Sequence, residues 1–72
     1  MAEIIDCRGL ECPQPVIKVA LKAGSLPEGT SLEVYADCKS FPNDIKRWCD
    51  NNEKVLISIV EKDGYNIATI QL

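Results

Sequence analysis

Hydrophobic and polar positions change period several times along this chain, and each change marks an expected element. Ile4 and Ile5 centre a short strand over residues 3–6. Over residues 13–23 the period lengthens, with Val16, Ile17, Ala20 and Leu21 on one side and Gln14, Lys18 and Lys22 on the other. That is the pattern of a helix with one solvated stripe. Gly24 stands where a helix C-cap belongs, and Pro27-Glu28-Gly29 reads as a turn. Residues 31–36 alternate, Leu32, Val34 and Ala36 against Ser31, Glu33 and Tyr35, as a half-buried strand does.

The second half repeats the alternation of strand and helix. Ser40 is a candidate N-cap, and Pro42 and Asp44 suit the first turn of a helix, where a missing N–H costs nothing and a negative charge meets the positive end of the helix dipole. Phe41, Ile45, Trp48 and Cys49 fall at i, i+4, i+7 and i+8, a core-facing stripe that makes Cys49 a packed structural thiol. Residues 54–61 are rich in β-branched side chains on both sides, Asp63-Gly64 is a strong hairpin signal, and residues 65–72 supply the returning strand. The predicted order is β-α-β-α-β-β. With only two helices, the economical packing is an α/β two-layer sandwich with both helices on one face of one sheet. The other face is left partly solvated or available to a second molecule, so a monomer or weak homodimer is expected.

Length and composition narrow the function classes. Seventy-two residues are expected to form one domain, 1–72, without a deep substrate pocket. The net charge of −3 argues against direct contact with a nucleic-acid backbone as the main function. The excess acid all lies after Lys22, because the chain up to that point carries three acids and three bases. No apolar run approaches the roughly 20 residues of a membrane span, and residues 1–6 lack the basic and apolar regions of a secretory signal. The expectation is a cytoplasmic protein whose four cysteines are thiols unless function oxidises them. With no histidine in the chain, Cys–His catalysis and histidine metal ligation are impossible.

The candidate chemistry is concentrated in Asp6-Cys7-Arg8-Gly9-Leu10-Glu11-Cys12-Pro13-Gln14-Pro15. Pro13 fits the first helical position, which puts Cys12 at the N-cap and Pro15 at the third residue. The two prolines then leave the Gln14 N–H free between them. A thiol at a helix N-terminus has a lowered pKa and a larger thiolate fraction, and the thiolate is the nucleophile of sulfur chemistry. Arg8, four residues earlier, adds positive charge if its loop folds back, and Gly9 supplies the turn. Cys7 and Cys38 each follow a strand, and those strands are expected to run parallel, so both lie at one sheet edge near Cys12. Either is a possible resolving thiol for an oxidised Cys12; the plainer alternative is that both are small loop or semi-buried residues without a role.

These residues resemble a known family, the TusA/SirA-like sulfur carriers, with second-half details closer to its YedF-like branch. The likeness rests on Arg8-Gly9-Leu10-x-Cys12-Pro13-x-Pro15, on Ala36-Asp37, and on Phe41-Pro42-x-Asp44-Ile45 with Trp48-Cys49. It implies a mixed four-stranded sheet, and a Cys12 that accepts sulfur as a persulfide from a protein donor such as a cysteine desulfurase or rhodanese. The sulfur then passes to a protein acceptor in a relay serving, for example, tRNA thiolation or sulfur metabolism. No cofactor is implied. Cys7 and Cys38 lie outside the family's core pattern and keep a thiol/disulfide redox or regulatory module open as the alternative. A zinc site is disfavoured, because Cys7-x4-Cys12 and Cys38-x10-Cys49 lack the close pairing of zinc ligands.

Overall fold

A computed structural model describes residues 2–72. The elements are β1 (Ala2–Asp6), α1 (Gln14–Ser25), β2 (Ser31–Ala36), α2 (Phe41–Asn51), β3 (Val55–Lys62) and β4 (Tyr65–Gln71), in the predicted order. The strands form one mixed sheet ordered β1-β2-β4-β3. β1 runs parallel to β2, and β4 runs antiparallel to both β2 and β3.

The alternation in β2 decides which face is covered. Leu32, Val34 and Ala36 are fully buried. The register sets Ile5 beside Val34 on one flank, and Ala68 and Ile70 opposite Val34 and Leu32 on the other. Both helices pack on that face, where Val19 of α1 and Phe41, Ile45 and Cys49 of α2 complete a single buried cluster. The opposite face stays open and carries exposed Ile4 and Val60. In β3, Leu56 and Ile59 both pack against the core, although three residues apart they would point to opposite faces of a regular strand. A bulge between Leu56 and Ser58 resolves the conflict by adding one residue. The β3–β4 hairpin turns through Asp63 (φ 49°) and Gly64 (φ 87°), the two left-handed residues that a type I′ turn needs.

The first helix differs from its sequence reading in two respects. It continues through Gly24 to Ser25 and is capped at Leu26, whose N–H reaches the Ala23 carbonyl. The Ser25 hydroxyl donates to the Lys22 carbonyl (2.9 Å), and Leu26 packs against the core, so the last turn is held without a glycine cap. The buried stripe is also turned about a third of the way round the helix, at ~100° per residue. Pro15 and Val19 are buried with Val16, Ala23 and Leu26 beside them, whereas Ile17 and Leu21 are exposed. A proline ring in the first turn leaves no N–H to satisfy, so it can enter the core as an apolar group. The sequence thus offers two apolar stripes on one helix, and the stripe begun by Pro15 is the one buried.

Among the described residues no helix is long and apolar enough to cross a membrane.

The rotated face gives a direct stability test. Val19→Ala is expected to cost about 2 kcal/mol through lost burial and the cavity left behind. Leu21→Ala is expected to cost less than about 0.5 kcal/mol. Urea denaturation of both variants checks the assignment; equal losses would show that the wrong stripe had been placed inside.

Candidate functional site

Because β1 and β2 are parallel neighbours, the chain leaves both at the same edge of the sheet. The loop after β1 turns at Gly9, whose φ of +87° lies in the region that favours glycine. The Gly9 N–H donates to both carboxylate oxygens of Asp37 at 3.1 Å, which fastens this loop to the one that follows β2. Across that fastening lie Cys12 and Cys38, joined as a disulfide with Cα atoms 5.8 Å apart. That separation sits well inside the roughly 4.4–6.8 Å that the bond requires. Cys12 is the more exposed of the two, and Cys38 is packed partly against the core.

The structure corrects the expected relation of Cys12 to α1. Pro13, not Cys12, is the N-cap, and the helix begins at Gln14 with Pro15 in its second position. The Gln14 N–H is not free: it donates to the Glu11 carbonyl at 2.8 Å and closes a turn before the helix starts. That turn is what pushes Cys12 out of the capping position, one residue further from the helix. Cys12 meets the second helix instead, through Ser40.

Ser40 is the N-cap residue of α2, as expected, but its side chain makes no capping bond. Its hydroxyl lies 2.8 Å from Cys12 Sγ and 2.8 Å from Asp44 Oδ2, with Cys38 Sγ at 3.7 Å. One hydroxyl proton cannot serve two acceptors at once. With the disulfide closed, it is shared between a carboxylate and a weakly accepting sulfur. With the cysteines reduced, a Cys12 thiol can donate to Ser40 Oγ while Ser40 donates to Asp44, a proton path from sulfur to carboxylate that needs no histidine. Ser40, Asp44 and Asp37 carry no site role in the sequence reading. The signal available for the first two was their i, i+4 spacing at a helix start, which stacks both side chains on one face.

Arg8 does not turn towards the sulfur. Its guanidinium donates to Asp6 twice, Nε to Oδ1 at 2.9 Å and Nη2 to Oδ2 at 2.8 Å, and lies over the rings of Tyr65 and Tyr35 with centroids 4.9 Å and 5.7 Å away. The two rings stack with centroids 5.7 Å apart. Asp6 and Tyr35 are register partners on the open face, so this cluster forms behind the sheet edge rather than at the cysteines. The hydrogen bonds from Arg8 hold the Asp6 carboxyl at a pKa of about 2. The charge expected to favour a thiolate is thereby spent on an ion pair and two aromatic faces.

The remaining cysteines are removed from this chemistry by packing. Cys7 is fully buried, and burial pushes its thiol pKa up. Cys49 is buried in the stripe of α2, and burial, with Asp50 adding to it, pushes its thiol to about 11. Of the two possible resolving thiols, the structure therefore brings Cys38 to Cys12 and places Cys7 in the core. Cys12, Cys38 and Asp44 present two sulfurs and one oxygen within 4.8 Å of one another, a set that neither Cys7 nor Cys49 joins. Only the reduced pair could offer thiolates to a metal.

A family profile described as "Sulfurtransferase TusA" matches residues 3–72, which includes both loops and every residue of this site. The chain belongs to the TusA family. It is 30% identical over 60 residues to the sulfur carrier protein TusA of Buchnera aphidicola, a match covering 83% of this chain and 76% of that one. It is 31% identical over 67 residues to a longer protein of Aquifex aeolicus, provisionally named a sulfur carrier. There the match covers 93% of this chain but spans only 34% of the relative. Among solved structures, the SirA-like protein of Desulfitobacterium hafniense has a TM-score of 0.86 at 27% identity, covering 96% of this chain and 95% of that one.

Two outcomes follow from the geometry of this TusA-family site. In the reduced, folded protein, iodoacetamide should label Cys12 and Cys38, while Cys7 and Cys49 should react only after denaturation. Peptide mass mapping reads the difference, and fast native labelling of Cys7 would contradict its burial. The Asp6 carboxyl should titrate near pH 2 by NMR and return towards the ordinary 3.8 in Arg8→Ala. The sign is that of a depressed carboxylate: the pairing favours the folded state above pH 3.8 and is lost as pH falls through about 2.

Proposed function

We propose that this protein is a sulfur carrier that holds sulfur as a persulfide on Cys12. The observation that carries the proposal is an accessible Cys12 at the helix end of the β1–α1 loop, in a chain matched along residues 3–72 to the TusA family. A donor protein such as a cysteine desulfurase or rhodanese offers a sulfane sulfur, the Cys12 thiolate attacks it, and the outer sulfur then passes to a thiolate of an acceptor protein. Each step is exchange at sulfur, needing access and a thiolate but neither metal nor cofactor. Pro13 and Pro15 stiffen the segment that presents the thiol, and Gly9, held by Asp37, fixes the loop from its other end. Gln14 contributes through its backbone turn to Glu11, and Arg8 supports the same loop from the open face by its bonds to Asp6. A reducing, cytoplasmic setting would keep Cys12 and Cys38 available as thiols.

A second reading, a thiol/disulfide redox module, is favoured by one observation, the closed Cys12–Cys38 pair. The test of the carrier reading therefore uses Cys38→Ser, in which that pair cannot form. Incubated with a cysteine desulfurase and cysteine, reduced Cys38→Ser should gain one sulfur, about 32 Da by intact mass. The gain should vanish on adding Cys12→Ser. A variant that stays unmodified with a competent donor would count against the carrier and leave the redox module standing.

A further inference from the structure

The placement of Cys38 bears on what happens to a persulfide once it is formed, and the inference rests on the carrier reading above. A sulfur carried on Cys12 makes Cys12 Sγ the inner atom of a new S–S bond. Cys38 Sγ is the sulfur that meets Cys12 Sγ in this structure, on a loop fastened to the Cys12 loop through Gly9 and Asp37. The two cysteines are also unequal: Cys12 is the more open, and Cys38 sits behind it against the core. An incoming sulfur therefore lands on Cys12, and Cys38 is the thiol that answers.

We infer that Cys38 gives this protein a second activity, reductive release of the carried sulfur as hydrosulfide. The Cys38 thiolate attacks Cys12 Sγ, and a bond forms between the two cysteine sulfurs. The bond from Cys12 Sγ to the outer sulfur breaks, and its electron pair leaves with that sulfur as HS⁻. The sulfane sulfur is reduced by two electrons, and the two cysteines are oxidised to the disulfide. The proton lost from Cys38 passes to Asp44 through Ser40, whose hydroxyl lies near both sulfurs and the carboxylate, or to water. Attack at the inner sulfur expels hydrosulfide, the anion of a stronger acid than a cysteine thiol, and so the better leaving group. A dithiol reductant reopens the pair for another round. Delivery to an acceptor and release as hydrosulfide thus compete for the same persulfide, and an acceptor succeeds only if it takes the outer sulfur first.

The test uses the full, reduced chain freed of reductant and mixed with one equivalent of glutathione persulfide, with hydrosulfide assayed as methylene blue and the protein weighed intact. The wild type should release about one hydrosulfide per chain and end about 2 Da below its reduced mass. Cys38→Ser should instead hold the added sulfur, about 32 Da, and release no hydrosulfide above the protein-free control. With dithiothreitol and excess persulfide, the wild type should turn over many times and Cys38→Ser at least tenfold more slowly. A wild type that keeps its persulfide, or a Cys38→Ser variant that releases hydrosulfide as fast, overturns the inference while leaving the carrier reading intact. Failure of both proteins to take up sulfur overturns both.

Discussion

Parallel pairing of β1 with β2 is the constraint on which this site depends. Two parallel strands need a crossover, here α1, and the crossover returns the chain so that both strands end at one edge. The two segments that carry Cys12 and Cys38 are therefore brought together by the sheet, not by any affinity of their own. Burial of Val34 and Leu32 against Ala68 and Ile70 fixes the register, and a slip of one residue would turn every core side chain of β2 to the open face. The sulfur geometry thus inherits its accuracy from hydrophobic alternation several residues away. The Gly9–Asp37 hydrogen bonds then set the last few ångströms.

Where one period dominated, the chain was legible. The alternation of β2, the α2 stripe through Phe41, Ile45 and Cys49, and the Asp63-Gly64 turn each had a single physical solution, and the structure adopts it. α1 had two solutions, because Ile17 and Leu21 compete with Pro15 and Val19 for the core. Hydrophobicity alone does not choose between them; the direction from which the preceding loop delivers the helix does. The same loop decided the place of Cys12, since the Gln14–Glu11 turn uses a residue that helix-start rules assign to the helix. Strand order was not readable either, because it follows from pairings between segments far apart in the chain.

The site residues show the same division. That Cys12 stands exposed beside a helix start follows from Gly, Pro and spacing. That Ser40 and Asp44 meet it depends on how α2 packs across the sheet edge, for which no local signal exists. Arg8 illustrates the converse. Its proximity in sequence to Cys12 suggested an electrostatic partner, yet the alternation of β1 places Asp6 on the open face, and a guanidinium two residues on finds a bidentate carboxylate and two stacked rings there. The Arg8 guanidinium is kept on one side of the sheet edge, and the Cys12 and Cys38 sulfurs, the Ser40 hydroxyl and the Asp44 carboxylate lie on the other.

The disulfide also joins thermodynamics to cargo. It closes a loop between residues 26 apart, enclosing all of α1 and β2. By the chain-entropy relation such a closure disfavours the unfolded chain by between roughly 3 and 4 kcal/mol. A thermodynamic cycle requires the reciprocal effect: whatever the bond adds to folding, folding adds to the bond. The folded sheet edge therefore draws the two cysteines toward the oxidised state, and a chain that had released its sulfur as hydrosulfide by the step inferred above would be harder to unfold than one left with free thiols. The disulfide-closed form and the open, thiol-bearing form of this small protein would thus differ in rigidity as well as in composition, and a partner that binds the edge could distinguish them by that alone.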